Sequence, residues 1–173
     1  MSRNVVTTEA AGRGGTRHRP PHLPAVFIID TREQRPFALD GYETRRATLG
    51  AGDYSLAGFE HCVAVERKSH ADAWGCVAGS RERFERCLAR LAALDRAAIV
   101  IECNLRDFAV RPAQVQRVTP ATAVGSFVSW SVQFGIPVFW CDNRRYAERI
   151  TVRYLLSYLK HRGGPTNGDS HLA

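Results

Sequence analysis

Apolar and polar positions change period along the chain, and each change predicts an element. Ala25, Val26, Phe27, Ile28 and Ile29 run unbroken into Asp30, the pattern of a strand buried on both faces and closed by a carboxylate. Short runs at 45–49, 54–57 and 62–66, joined by glycine-containing turns, predict three further strands. A helix is expected over 69–78, with Asp72 in the first turn, where an acid favours the helix dipole. Over 82–94, Phe84, Cys87, Leu88, Leu91 and Leu94 recur at helical spacing with arginines on the other face. A second fully apolar strand follows at 97–103. Val124, Phe127, Val128 and Val132 mark a helix from 119, with Thr119 as cap and Pro120 in its first turn. A strand at 136–141 and a long helix at 143–161, carrying Ile150, Tyr154, Leu155 and Leu159, complete the pattern. Early strands, then helices interleaved with buried strands, predict an α/β fold: a mixed central sheet flanked by helices.

The same patterning divides the chain. Residues 1–24 are poor in large apolar side chains and carry four arginines against one glutamate, so a disordered basic tail is expected there. Breakers cluster at 163–168, so a flexible tail is expected over 163–173 and one domain over 25–162. Apolar residues make up 45% of the 173, enough for a core. No run approaches the roughly 18–20 apolar residues of a membrane helix, and the first residues lack the apolar region of a secretory leader. The expectation is an intracellular, cytoplasmic protein, nucleoid-associated in a prokaryote or nuclear in a eukaryote. The five cysteines show no metal-ligand spacing and read as free thiols in a reducing compartment.

Charge adds a direction. The net charge is +7 and the pI about 9.6, a balance that attracts polyanions, nucleic acid first among them, although solubility alone accounts for it too. No basic amphipathic helix points to a membrane surface. Of the 24 basic residues, 22 are arginine, which leaves Lys68 and Lys160 as the two lysines.

Candidate chemistry sits where strands end, the usual place for sites in α/β folds. Asp30, Thr31, Arg32 and Glu33 follow the first strand; Gly52 and Asp53 enter another; Glu66, Arg67 and Lys68 close the next, with Asp72 just beyond. By strand alternation Glu66 and Lys68 point to one side and Arg67 to the other. If 54–57 and 61–66 pair as a hairpin, Asp53 meets Glu66 and Lys68, and two carboxylates and an ammonium share one edge. Carboxylate oxygens suit Mg²⁺ or Mn²⁺, and a lysine there can orient or deprotonate an attacking water. An exposed cross-strand Glu–Lys pair of small energetic value accounts for the same tripeptide, so the residues alone leave both readings open.

The ordered set I-I-D-T-R-E, G-D-Y-S-L and V-E-R-K-S-x-x-D resembles the nuclease domain of the XPF-type (XPF/Hef) structure-specific endonucleases. The signature G-D followed by E-R-K-x-x-x-D falls on Gly52, Asp53, Glu66, Arg67, Lys68 and Asp72, and the downstream R-F-x-x-x-x-x-R-L on Arg83, Phe84, Arg90 and Leu91. The resemblance covers residues 26–160. It implies a restriction-endonuclease-like fold and hydrolysis of DNA phosphodiester bonds with Mg²⁺ or Mn²⁺, in branched, flap or fork DNA. It implies Asp53 and Glu66 as metal ligands with the Arg67 backbone carbonyl, and Asp30 and Glu33 completing the acidic shell directly or through waters. Lys68 would assist the nucleophilic water. Arg32, Arg67 and Arg83 would hold phosphates or brace carboxylates, and Asp72 would play a structural part at the next helix. The alternative is a catalytically silent DNA-binding or scaffold subunit of a nuclease heterodimer.

Family members usually append tandem helix-hairpin-helix modules, a pattern not seen after His161. The expectation is therefore a DNA partner, with junction grip supplied by another protein or a second subunit, or absent. These nuclease domains pair through their late helices and last strand. Phe127, Trp130, Phe134, Trp140, Tyr154, Leu155 and Tyr158 put large apolar side chains there, for a homodimer or for the core.

Overall fold

The unbroken apolar run becomes β1, Val26–Asp30, in a computed structural model that describes residues 25–162. The tails expected at 1–24 and 163–173 lie outside the described residues. β1 pairs in parallel with β2, Glu43–Ala47. β3, Tyr54–Leu56, runs antiparallel to β1 on one side and to β4, Val63–Lys68, on the other. β5, Arg96–Ile101, and β6, Val138–Trp140, continue the sheet in parallel beyond β4. The order is β2-β1-β3-β4-β5-β6, a mixed six-stranded sheet of the kind the alternating periods predict.

Two differences have physical causes. The strand expected at 45–49 lies at 43–47, on the sheet edge, where Glu43, Thr44, Arg45 and Arg46 are exposed and no burial imposes an apolar period. A one-turn helix, α3 at Leu105–Phe108, was not expected. It is held by the Asn104 side chain, which accepts the Asp107 N–H, and by the buried Phe108 ring.

The remaining helices begin at side-chain caps or amphipathic runs. Ser69 caps α1, His70–Ala78; Thr119 caps α4, Pro120–Phe134; Asn143 caps α5, Arg144–His161. α2, Arg81–Ala92, buries Phe84, Leu88 and Leu91. One layer of core joins Ala64, Ile99 and Ile101 of the sheet to Trp74, Phe84, Leu88, Phe127 and Trp130 of α1, α2 and α4. The other joins Val63, Val65, Ala98 and Val100 to Ala147, Val152 and Leu155 of α5. The two-residue strand period thus sends even-numbered β4 side chains toward α1 and α2, and odd-numbered ones toward α5. No helix among the described residues is long and apolar enough to cross a membrane.

Candidate active site

Gly52 brings the chain into the site. Its φ is +76°, and a Cβ there would lie 2.8 Å from the Ala64 Cβ and 3.2 Å from the Val65 carbonyl oxygen, so neither conformation nor space admits a side chain. This close approach lets the Asp53 N–H donate to the Val65 carbonyl (2.9 Å) while the Asp53 carbonyl accepts the Asp30 N–H (2.9 Å). Asp53 is thereby pinned between β1 and β4. Gly52→Ala is expected to lower the melting temperature by about 5 °C or more, from the left-handed penalty and the overlap together. A thermal melt indistinguishable from wild type would refute this.

The Asp53 carboxylate accepts the Arg67 N–H at 2.8 Å. Burial, with the Glu66 charge added to it, pushes the Asp53 carboxyl up to about 7. Glu66, 7% exposed, is paired with the Lys68 ammonium (2.5 Å), which also sits 5.2 Å from the Phe84 ring centre. Burial opposes the Lys68 charge, yet Glu66 first, with Cys76 and Asp53 after it, holds its pKa above the ordinary lysine value. In this state Lys68 is an ammonium. As an ammonium it can orient a water or stabilise negative charge, and the pairing with Glu66 is what favours that form over a free amine.

Asp53, Glu66 and Lys68 line one open cleft of about 480 Å³, with Asp30, Arg32, Asp72, Arg83 and Arg90 on its walls. The geometry also gives the Arg67 carbonyl a direction. The N–H and C=O of a strand residue point the same way, and the Arg67 N–H points to Asp53, so its carbonyl faces that side, past the start of β3. Two carboxylate groups and one carbonyl therefore converge.

The other expected members of the acidic shell are placed differently. Asp30 is 1% exposed, and its two oxygens already accept bonds from the Arg32 N–H, Nε and Nη2 and from the Leu49 N–H, at 2.7–2.9 Å. Burial works against its carboxylate, but these bonds, Arg32 first, hold its pKa below the ordinary value. These bonds tie the β1 exit to Arg32 and Leu49 while the residue lines the cleft. Glu33 is turned to the opposite face of the sheet, where its carboxylate takes the Arg67 Nε at 2.9 Å and Nη2 at 3.1 Å, outside the cleft. Among the described residues no three His, Cys, Asp or Glu side chains converge as a metal set. Of the four expected acids, Asp30, Asp53 and Glu66 line the cleft and Glu33 lies outside it.

The Arg67 side chain lies outside the cleft, among carboxylates. It is 9% exposed and bridges Glu33 and Glu102, and Glu102 also takes Arg144 at the start of α5. Arg144 Nη2 continues to the carbonyls of Arg35 (2.6 Å) and Pro36 (2.8 Å). Glu102 and Arg144 escaped the sequence reading, though Glu102 ends an apolar run just as Asp30 does, a signal that was present. Asp72 sits in the first turn of α1, its N–H donating to the Ser69 hydroxyl, which donates to the Asp72 carboxylate at 2.6 Å. Arg83 and Arg32 lie on the cleft walls, and Arg32 is 66% exposed in its side chain even while bound to Asp30. Cys76 and Cys87 also reach the cleft, and burial pushes their thiols up to about 11 and about 12.

Known proteins share this fold. The ERCC4 domain is recognised over residues 29–154. XPF from Aeropyrum pernix has the same fold, with a TM-score of 0.64 at 17% identity over 86% of this chain and 69% of that one. The same organism's XPF in complex with DNA gives 0.63 at 19% identity, over 82% and 68%. The likeness shows the fold, a restriction-endonuclease-like mixed sheet between helices. No curated protein sequence is significantly similar to the chain.

Proposed function

Because the chain belongs to the ERCC4 domain family and carries an XPF-type nuclease domain, we propose that it is a divalent-metal-dependent endonuclease that hydrolyses phosphodiester bonds in branched, flap or fork DNA. The observation that carries the reading is the convergence of Asp53, Glu66 and Lys68 on one open, arginine-walled cleft.

The donor chemistry fits Mg²⁺ or Mn²⁺. Two carboxylates and a backbone carbonyl are hard oxygen donors, and Mg²⁺ is commonly held by one or two carboxylates with waters and substrate phosphate as its other ligands. Burial first and then the Glu66 charge raise the Asp53 carboxyl, so a cation beside both carboxylates would favour its charged form. Asp53, Glu66 and the Arg67 carbonyl would hold the ion. When bound, it would polarise the phosphoryl oxygens and acidify a water.

The chain's own residues do the rest. The Arg67 N–H orients the Asp53 carboxylate. Lys68, whose ammonium donates to Glu66, would also donate to the attacking water or to the charge that grows on phosphorus oxygens. Arg32, Arg83 and Arg90 on the walls take the flanking phosphates. Phosphates set the position of the strand and leave its sequence unread, as suits an enzyme that acts on DNA shape. The place of work is intracellular, with DNA.

The sheet edges support a homodimer. β2 guards its edge with charges, whereas β6 presents Val138, Phe139 and Trp140 half-buried beside α4, a helix without a single charged residue whose Val128 and Val132 are 57% and 82% exposed. Sedimentation at micromolar concentration is expected to find a dimer; a monomer there removes this part of the proposal.

Incubation with fluorescent fork, flap and linear duplexes, with and without Mg²⁺, tests the activity. Cutting of the branched substrates only with metal is expected. Tight DNA binding with no cutting under any metal would replace the enzyme by a silent DNA-binding subunit.

A further inference from the structure

The solvent face of α5 carries charge that the cleft does not use. Arg145, Arg149, Arg153 and Lys160 are exposed and fall within one third of the helix circumference. Among the described residues none of the four is in a salt bridge; Arg149 lies only against the Tyr146 ring, 5.5 Å from its centre. The single acid of the helix, Glu148, is turned inward to accept the Leu39 N–H at 2.7 Å. Four cations therefore stand in a row of about 22 Å with no carboxylate of their own helix among them. Unpaired arginines at one-turn intervals are poor for folding and suited to a ladder of phosphates.

The position of the row gives it a meaning. α5 packs on the sheet face that carries Val63, Val65 and Val100, opposite the face into which Glu66 and Lys68 project. Its first turn is tied to the same strand ends as the cleft, since Arg144 bonds Glu102 and Glu102 bonds Arg67, the residue between Glu66 and Lys68. The row and the cleft share an edge and diverge onto opposite faces of the sheet. A short straight duplex is too stiff to follow both; a DNA with two arms is not. Lipid is the poorer ligand, because the apolar side of α5 is spent on the core and cannot enter a bilayer.

We propose that the exposed face of α5, centred on Arg145, Arg149 and Arg153, is a second nucleic-acid surface that grips one duplex arm by its phosphates while the cleft receives another. This rests on the nuclease reading and adds to it where branch preference resides in the chain.

The test uses the full chain with Arg145→Gln, Arg149→Gln and Arg153→Gln combined, and a matching triple lysine variant; glutamine keeps helix propensity close to that of arginine. Binding to a three-arm fork and to a short linear duplex is followed by fluorescence anisotropy in EDTA over a series of salt concentrations, and cutting of both is followed with Mg²⁺. The glutamine variant should lose about tenfold or more in fork affinity, with the slope of log K against log salt shallower by about 2.7, while the lysine variant keeps the slope. The low basal cutting of the short duplex should be unchanged, and cutting of the fork should fall to that level. Unchanged fork affinity and slope in the glutamine variant overturn the α5 surface alone. A wild type that binds no DNA in either form overturns the nuclease reading with it. Wild-type binding to phosphatidylserine vesicles that the glutamine variant loses, with DNA binding unaffected, assigns the row to membranes and rejects the proposal.

Discussion

Asp53→Asn is expected to cut DNA more than about a hundredfold more slowly than wild type at saturating Mg²⁺, beyond the roughly 10- to 100-fold that loss of an outer-shell partner costs. The amide keeps the shape and can still accept the Arg67 N–H, so the hydrogen bond that seats the residue survives. What disappears is a negative charge next to Glu66. Mg²⁺ affinity, read by calorimetry, should fall in parallel, while fork binding in EDTA should persist or tighten as one repulsive charge leaves a phosphate site. Equal cutting by the variant would end the assignment of Asp53.

The same substitution has a signature without substrate. With its carboxyl raised to about 7 against an ordinary 3.8, Asp53 holds its proton more tightly in the folded state than in the unfolded one. Between those values the folded state binds more protons, so stability of the metal-free protein falls as pH rises through that window. The slope should be smaller in Asp53→Asn. Saturating Mg²⁺ should flatten it in wild type, since the ion favours the charged form. Denaturant melts at pH 5 and pH 8 suffice to check both.

Arg67→Ala is expected to cost about 3–5 kcal/mol of folding stability, the loss that follows when one partner of a buried ion pair is removed. The guanidinium is 9% exposed and is shared by two carboxylates that are 3% and 10% exposed, so both would be left short of a partner where water is scarce. Burial works against the Glu33 carboxylate, and it is the Arg67 bonds that hold its pKa below the ordinary value. In wild type the Glu33 contribution is present above the ordinary carboxylate range and is lost as pH falls through the lowered pKa. In Arg67→Ala the sign reverses, and acid should stabilise the variant by protonating Glu33. A companion change of Glu33→Gln should restore part of the loss, which separates charge from packing. A loss below about 1 kcal/mol in urea melts would show that the network is open to solvent.

Local pattern determined much of this protein. The apolar runs ending in Asp30, Glu66 and Glu102 are strands because both faces of the sheet are covered, and such strands have no polar period to confuse. The G-D step and the E-R-K order were legible because the two-residue strand period settles which side chains share a face, and pairing of β3 with β4 sets Tyr54 opposite Val65. The edge strand β2 was shifted and the single turn α3 was missed, because neither buries a run long enough to leave a period.

Only the tertiary structure decided which partner each acid meets. Asp30, Glu33 and Glu66 look alike as carboxylates at strand ends, and the chain order says nothing about the guanidinium each will meet. Arg32 closes on Asp30, Arg67 turns to the far face and takes Glu33, and Glu66 is left to Lys68 beside Asp53. Those partners come from segments as far as 34 residues apart in the chain. The partner of each carboxylate is therefore set by packing: a short-range period places a side chain on a face, but only the assembled sheet determines which opposite charge reaches it first.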